Sequence, residues 1–217
     1  MFKPVPRKVI FRQSVFADRL IADFQRSYAG CADLTVPYEA AVIRNFYDHL
    51  QPLHPTARAI CGHAVMSWAA KSRADYTAQF PRVLQDFLNA LNIRSLFLMD
   101  FTDRNLMDFE FENYRKRNLF KRTGGRNRNG TAYLVDTGTL SGTLPLFLFS
   151  GVYDVPVIFL ISAENEVPLS LRLCDDGNLH LNFYEHDELR FRTEAEQAGF
   201  VWGDLEVCVR HSVTYLT

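Results

Sequence analysis

The spacing of hydrophobic positions changes part-way along the chain. Residues 2–13 read as an extended arm or edge strand, with Val9, Ile10 and Phe11 able to pack. From Ser14, a good N-cap, Phe16, Leu20, Phe24 and Tyr28 recur every four residues, which predicts a helix ending near Gly30. Thr35 and Pro37 open a second helix that carries Val42, Phe46 and Leu50 inward and stops at Pro52. A third is predicted from Pro55, with Ile60, Cys61, Ala64, Val65 and Trp68 on its buried face. A fourth covers 79–91, with Pro81 in its first turn and Leu84, Phe87, Leu88 and Leu91 inward. Residues 93–101 are short and densely apolar, so they fit a buried strand or a helix end. Residues 103–120 are read as a helix with Leu106, Phe109 and Leu119 inward.

After Gly130 the texture is β. Runs of strand length span 132–135, 144–149, 155–162, 168–174, 179–184 and 200–210, separated by turn residues such as Asp175-Asp176-Gly177. In the clearest hairpin, Leu179, Leu181 and Phe183 alternate with His180, Asn182 and Tyr184, giving one buried and one wet face. The class expected is α+β: an N-terminal helical half followed by a C-terminal antiparallel β-rich half. The corresponding division is 1–113 mainly helical, 114–130 a basic connection and 131–217 antiparallel β, with one shared core kept as an alternative.

Charge adds what periodicity does not show. Residues 1–130 hold 20 Lys/Arg against 12 Asp/Glu, and 131–217 hold 4 against 13, so a net charge of −1 conceals a dipole. The densest positive stretch is 114–130, with Arg115, Lys116, Arg117, Lys121, Arg122, Arg126 and Arg128. The acidic excess includes Asp175, Asp176, Glu185, Asp187, Glu188, Glu194 and Glu196. Four scattered cysteines (31, 61, 174 and 208) read as reduced thiols. Pro4 and Pro6 interrupt what a signal peptide would need, and no apolar run is long enough for a membrane span. A soluble, cytoplasmic protein in a bacterial setting is expected, with no membrane partner.

Three groups carry candidate chemistry. Interleaved with Tyr114, Phe120 and several Asn, the basic stretch suits a flexible loop on a phosphate backbone. Its GGRNRNG is similar to a loop of a large-subunit ribosomal protein, and GGRNRNGTAYL is similar to a pattern in ADP-ribosyltransferase-like toxins; neither likeness leads to an assignment. Helix-end charge complementing the macrodipole accounts for the same residues. Arg44-Asn45-Phe46-Tyr47-Asp48-His49 resembles the R-polar-x3-H motif of HEPN ribonucleases. That resemblance implies His49 as acid/base, Arg44 as phosphate clamp and Asn45 as orienter. A second Arg-x4-His, Arg58 to His63, lacks the polar partner. The third group, His49, His54, Cys61 and His63, lacks the paired spacing of a zinc site, so no metal and no cofactor is called for.

The function expected is a non-catalytic interaction module with a dipolar surface, an assembly component or an immunity-type neutraliser of a basic protein. Its acidic contact residues would be Asp187, Glu188, Glu194 and Glu196, and the partner another protein. The alternative is nucleic-acid binding through 114–130, with or without cleavage at Arg44 and His49.

Overall fold

A computed structural model describes residues 2–104, 106, 114–125, 128–148, 157–174 and 177–210. Among them, eight strands form one antiparallel sheet: β1 (Lys3–Pro6), β2 (Gly62–Ser67), β3 (Ser95–Asp100), β4 (Thr131–Asp136), β5 (Ile158–Ser162), β6 (Leu169–Leu173), β7 (Leu179–Phe183) and β8 (Val201–Gly203). Their order is β1-β4-β3-β5-β6-β7-β2-β8. The class is α+β, but the strands are not a separate C-terminal half. Strands β1, β2 and β3 come from the first hundred residues, and helices interleave with strands throughout.

The largest correction lies at 60–68. Apolar residues there satisfy a helical period, yet 62–67 is β2, paired with β7 and β8. Ala64 and Met66 enter the main core, while Val65 is buried on the opposite face. A strand buried on both faces is nearly continuously apolar, which local periodicity cannot separate from a helix. Two further strands are also overturned. Leu144–Leu146 is a 3-10 turn, with Pro145 unable to donate to a ladder. The 200–210 run yields only β8 before helix α8 (Leu205–Arg210).

Helices α1 (Arg7–Gln13) and α2 (Val15–Cys31) cover one face of the sheet. The Ser14 hydroxyl caps α2 by accepting the Ala17 N–H at 3.2 Å. Ile10, Phe11, Phe16, Leu20 and Ile21 meet Phe97, Met99, Ala132, Phe159 and Ile161 there. Helix α3 (Pro37–Phe46) has no buried residue. On the other face, α4 (Arg73–Ala90) and α7 (Glu188–Gln197) bury Tyr76, Phe80, Leu84, Phe87 and Phe191 against Leu96, Leu98, Leu160, Leu171, Leu181 and Phe183. Each such large apolar side chain contributes about 1.5–3 kcal/mol on burial. Helix α4 starts earlier than its periodicity suggests, at the Ser72 cap, which places Pro81 inside the helix.

Helix α5 (Tyr114–Arg122) sits at the β1 end. Phe120, not Leu119, is its anchor: Phe120 is fully buried against Phe2, Tyr133 and Phe147, whereas Leu119 is 46% exposed. Phe109 lies outside the described residues. Gly124 has φ +110°, and a Cβ there would sit 2.4 Å from the Phe2 carbonyl oxygen. The glycine is thus required by packing against the N-terminal strand.

Candidate functional site

The sheet order places the basic 114–125 segment and the acidic 185–206 segment near opposite edges. Helix α5 packs beside β1 and β4, where the Phe2 N–H donates to the Thr123 carbonyl at 2.9 Å. Helix α7 packs near the opposite edge, its Phe191 5.5 Å from Phe183 of β7. Seven strand steps separate the edges, roughly 33 Å at ~4.8 Å per step. Arg117, Lys121, Arg122 and Arg128 are exposed at the first end. Arg126 lies outside the described residues; Arg115 and Lys116 begin α5.

At the second end, 185–206 carries seven carboxylates against two arginines. Glu188 and Glu196 are exposed and Glu194 is half-buried. Glu196 is bridged by Arg192 at 2.9 Å, one turn away. Asp187 is less available, since its side chain is 17% exposed and lies 3.6 Å from His186 Nε2. Leu189, on α7 over one sheet face, is 77% exposed and Leu205, beside the other face, is 68% exposed, so apolar surface is uncovered on both sides of this acidic edge. Asp175 and Asp176 lie outside the described residues.

Arg44 and Asn45 are exposed on α3, which ends at Phe46. His49 therefore falls beyond the helix rather than on a shared helical face. It is 7% exposed, stacks on Phe11 at 3.9 Å between centroids, and its Nε2–H donates to Asp18 Oδ1 at 2.5 Å. Asp18, fully buried, also accepts the Leu53 and His54 N–H groups, each at 2.9 Å. The Gln25 side chain accepts the His49 N–H at 2.7 Å and donates to the Phe101 carbonyl at 2.6 Å. These bonds hold the 47–54 loop on α2.

The same network contains a buried arginine that sequence reading missed. Arg7, 2% exposed, donates through Nε and Nη2 to both Asp48 oxygens at 3.0 Å, and through Nη1 to the Asp100 carbonyl at 2.6 Å. Burial pushes the Asp48 carboxyl up, but Arg7, Gln25 and His49 outweigh it and hold it below the usual carboxylate range. Asp100 goes the other way: burial raises it despite hydrogen bonds from Thr102. Beside this network, a 440 Å³ cavity is lined by Arg7, Lys8, Asp48, Asp103, Arg128 and neighbouring backbone. Burial and the Asp48 charge raise Asp103, with Arg7 opposing.

Arg58 reaches His186 Nδ1 at 3.0 Å and lies over the Tyr184 ring. His63 is exposed on β2 and donates from Nδ1 to Asn182 Oδ1 at 3.0 Å. Cys61 precedes β2 and is exposed. Among the described residues no three His, Cys, Asp or Glu side chains converge as a metal site, and no helix is long and apolar enough to cross a membrane. The hairpin alternation is the signal that places His180 and Asn182 on one sheet face. Arg7 carries no such signal, because its partners lie 41 and 93 residues away.

Compared with known protein families, curated proteins and solved structures, the chain matches none.

Proposed function

We propose that this protein is a non-catalytic binding module that docks a basic protein surface on its α7–β8–α8 end. One observation carries the reading. Leu189 and Leu205 stand exposed within a segment of seven carboxylates and two arginines. Exposed apolar anchors among charges supply the two elements of an interface: contact area that releases water and a rim that selects partner charge. The acid would steer a cationic partner and repel nucleic acid. Neutralising a basic protein, or joining an assembly with one, fits this surface.

The test is affinity capture from nuclease-treated lysate with three baits: wild type, Leu189→Asp/Glu188→Lys/Glu196→Lys, and the five-residue Ala variant of Arg115, Lys116, Arg117, Lys121 and Arg122. A basic protein should be bound by wild type and the Ala variant but lost from the acidic-end variant. A partner set unchanged by the acidic-end variant overturns the proposal. Without nuclease, nucleic acid retained by wild type and lost only from the Ala variant would favour the basic end as the working surface.

A further inference from the structure

Helices α1 and α2 cover only part of their sheet face, and the uncovered part is polar by register. Two cross-strand rows define it. In one, Phe159 pairs with Arg172, Arg172 with His180 and His180 with Val65. In the other, Ile161 pairs with Ser170, Ser170 with Asn182 and Asn182 with His63. Each row starts apolar under α1 and α2 and turns polar at β6. The alternate positions, Leu169, Leu171, Leu179 and Leu181, all enter the opposite core. A sheet that needed only a solvated face would not enclose these polar groups, yet Ser170 is fully buried, Asn182 is 5% exposed, and Arg172 and His180 are half-buried.

Two cavities open over this floor. One, of 340 Å³, is lined by Arg172, His180, His63 and Asn182, with Asp204 and Leu205 at its rim. The other, of 250 Å³, is lined by Leu20, Tyr28, Ile60 and Asp23, among others. Phe24, His63 and Asn182 line both, so they adjoin. The combined space falls in the range of small-molecule sites.

The charges that reach the cavities are not equivalent. Asp23 is engaged by Arg19 at 2.7 Å and by Arg26. Asp204 accepts the Glu206 N–H at 2.9 Å as it turns into α8. Arg172 has no ion-pair or hydrogen-bond partner among the described residues, although it is half-buried. The Ser170 hydroxyl, buried in the row that holds Asn182, also lacks a hydrogen-bond partner among them but lines neither cavity. A half-desolvated guanidinium with donors beside it is a receptor for a planar or tetrahedral oxyanion. Phe24, Ile60 and Tyr28 offer apolar and aromatic surface next to it.

From this geometry we infer a site for a small organic anion, a phosphate monoester or carboxylate carrying a flat apolar body. Its head is held by Arg172 and His180, and its body lies against Phe24, Ile60 and Tyr28. The His63–Asn182 bond fixes the side chains between the two halves. The site shares Asp204 and Leu205 with the docking surface proposed above, but the groups that hold the ligand, Arg172, His180, Phe24, Ile60 and Tyr28, lie outside that surface.

Isothermal titration of the full chain with phenyl phosphate, benzoate and inorganic phosphate tests it. Saturable one-to-one binding is expected from phenyl phosphate or benzoate, and the tighter of the two identifies the head group. Inorganic phosphate is expected at least tenfold weaker than phenyl phosphate if phosphate is the head. Arg172→Met should lower the affinity at least tenfold with an unchanged circular dichroism spectrum. Arg172→Lys, which keeps charge and stem, should fall between and guards against misfolding of the Met variant. No saturable heat from any probe, or affinity unmoved in both variants, would overturn the site.

Discussion

The two ends of the sheet carry opposite charge and differ in the apolar surface they leave uncovered. At the β1 end the cations stand on a closed interior: Phe2, Phe120, Tyr133 and Phe147 interlock beneath α5, and Arg7 neutralises Asp48 beneath α1. At the β8 end an aromatic layer of Phe80, Phe87, Phe183, Phe191 and Phe200 is buried as well, but apolar side chains also stand outside it. Helix α7 contributes Phe191 and Ala195 to the core and leaves Leu189 outside. Charge density alone therefore does not mark a binding surface. The difference lies in uncovered apolar area, with Leu189 and Leu205 at 77% and 68% against Leu119 at 46%.

Removing the central ion of the closed end should have the largest effect. Arg7→Met strips the guanidinium from Asp48 and from the Asp100 carbonyl and leaves Gln25 as the side-chain donor to Asp48 and Phe101; a broken buried pair costs roughly 3–5 kcal/mol. Urea unfolding should show that loss; a change under about 1 kcal/mol would mean water replaces the guanidinium freely. Asp48→Asn should cost less, about 1–3 kcal/mol at neutral pH, and with a signature. Because the folded Asp48 carboxyl is held below its unfolded value near ~3.9, its contribution is complete above that value. It fades as pH falls through the lowered folded value. The gap between variant and wild type should thus narrow in acid. Asp100 and Asp103 have raised values and act in the opposite sense, being relieved by protonation. A gap independent of pH would contradict the Asp48 assignment.

The open end should respond in binding rather than stability. Leu189→Ser should leave the unfolding free energy within about 0.5 kcal/mol of wild type, as expected of an exposed position. It should weaken a basic partner at least tenfold by titration. Smallest of all should be the five-residue Ala change at 115–117, 121 and 122. With Phe120 retained as anchor, α5 should stay docked, and near-wild-type unfolding and partner affinity are expected. A loss of several kcal/mol would show that these cations hold the fold.

What could be read from the sequence follows from how local each cause is. The α2 cap at Ser14, the inward set Leu84, Phe87, Leu88 and Leu91 of α4, and the 168–184 hairpin rest on neighbours a few residues apart. They were legible. Strand β2 was not, because only its pairing to β7, more than a hundred residues on, distinguishes Ala64-Val65-Met66 from a helix face. The 114–130 segment was legible as charge but not as structure, since Gly124 answers to the carbonyl of Phe2. The sequence marks His49 by its Arg-x4-His spacing but not its partner Asp18, which lies 31 residues earlier on α2. Half of the polar floor was visible in the β7 alternation; Arg172 joins it only through the β6–β7 register.

The most direct test of the central claim is amide hydrogen exchange of the wild-type chain with and without its captured basic partner. Slowed exchange is expected over 185–206, centred on α7 and α8, with 114–130 unchanged. Protection confined to 114–130, or none at 185–206 under saturating partner, would contradict it.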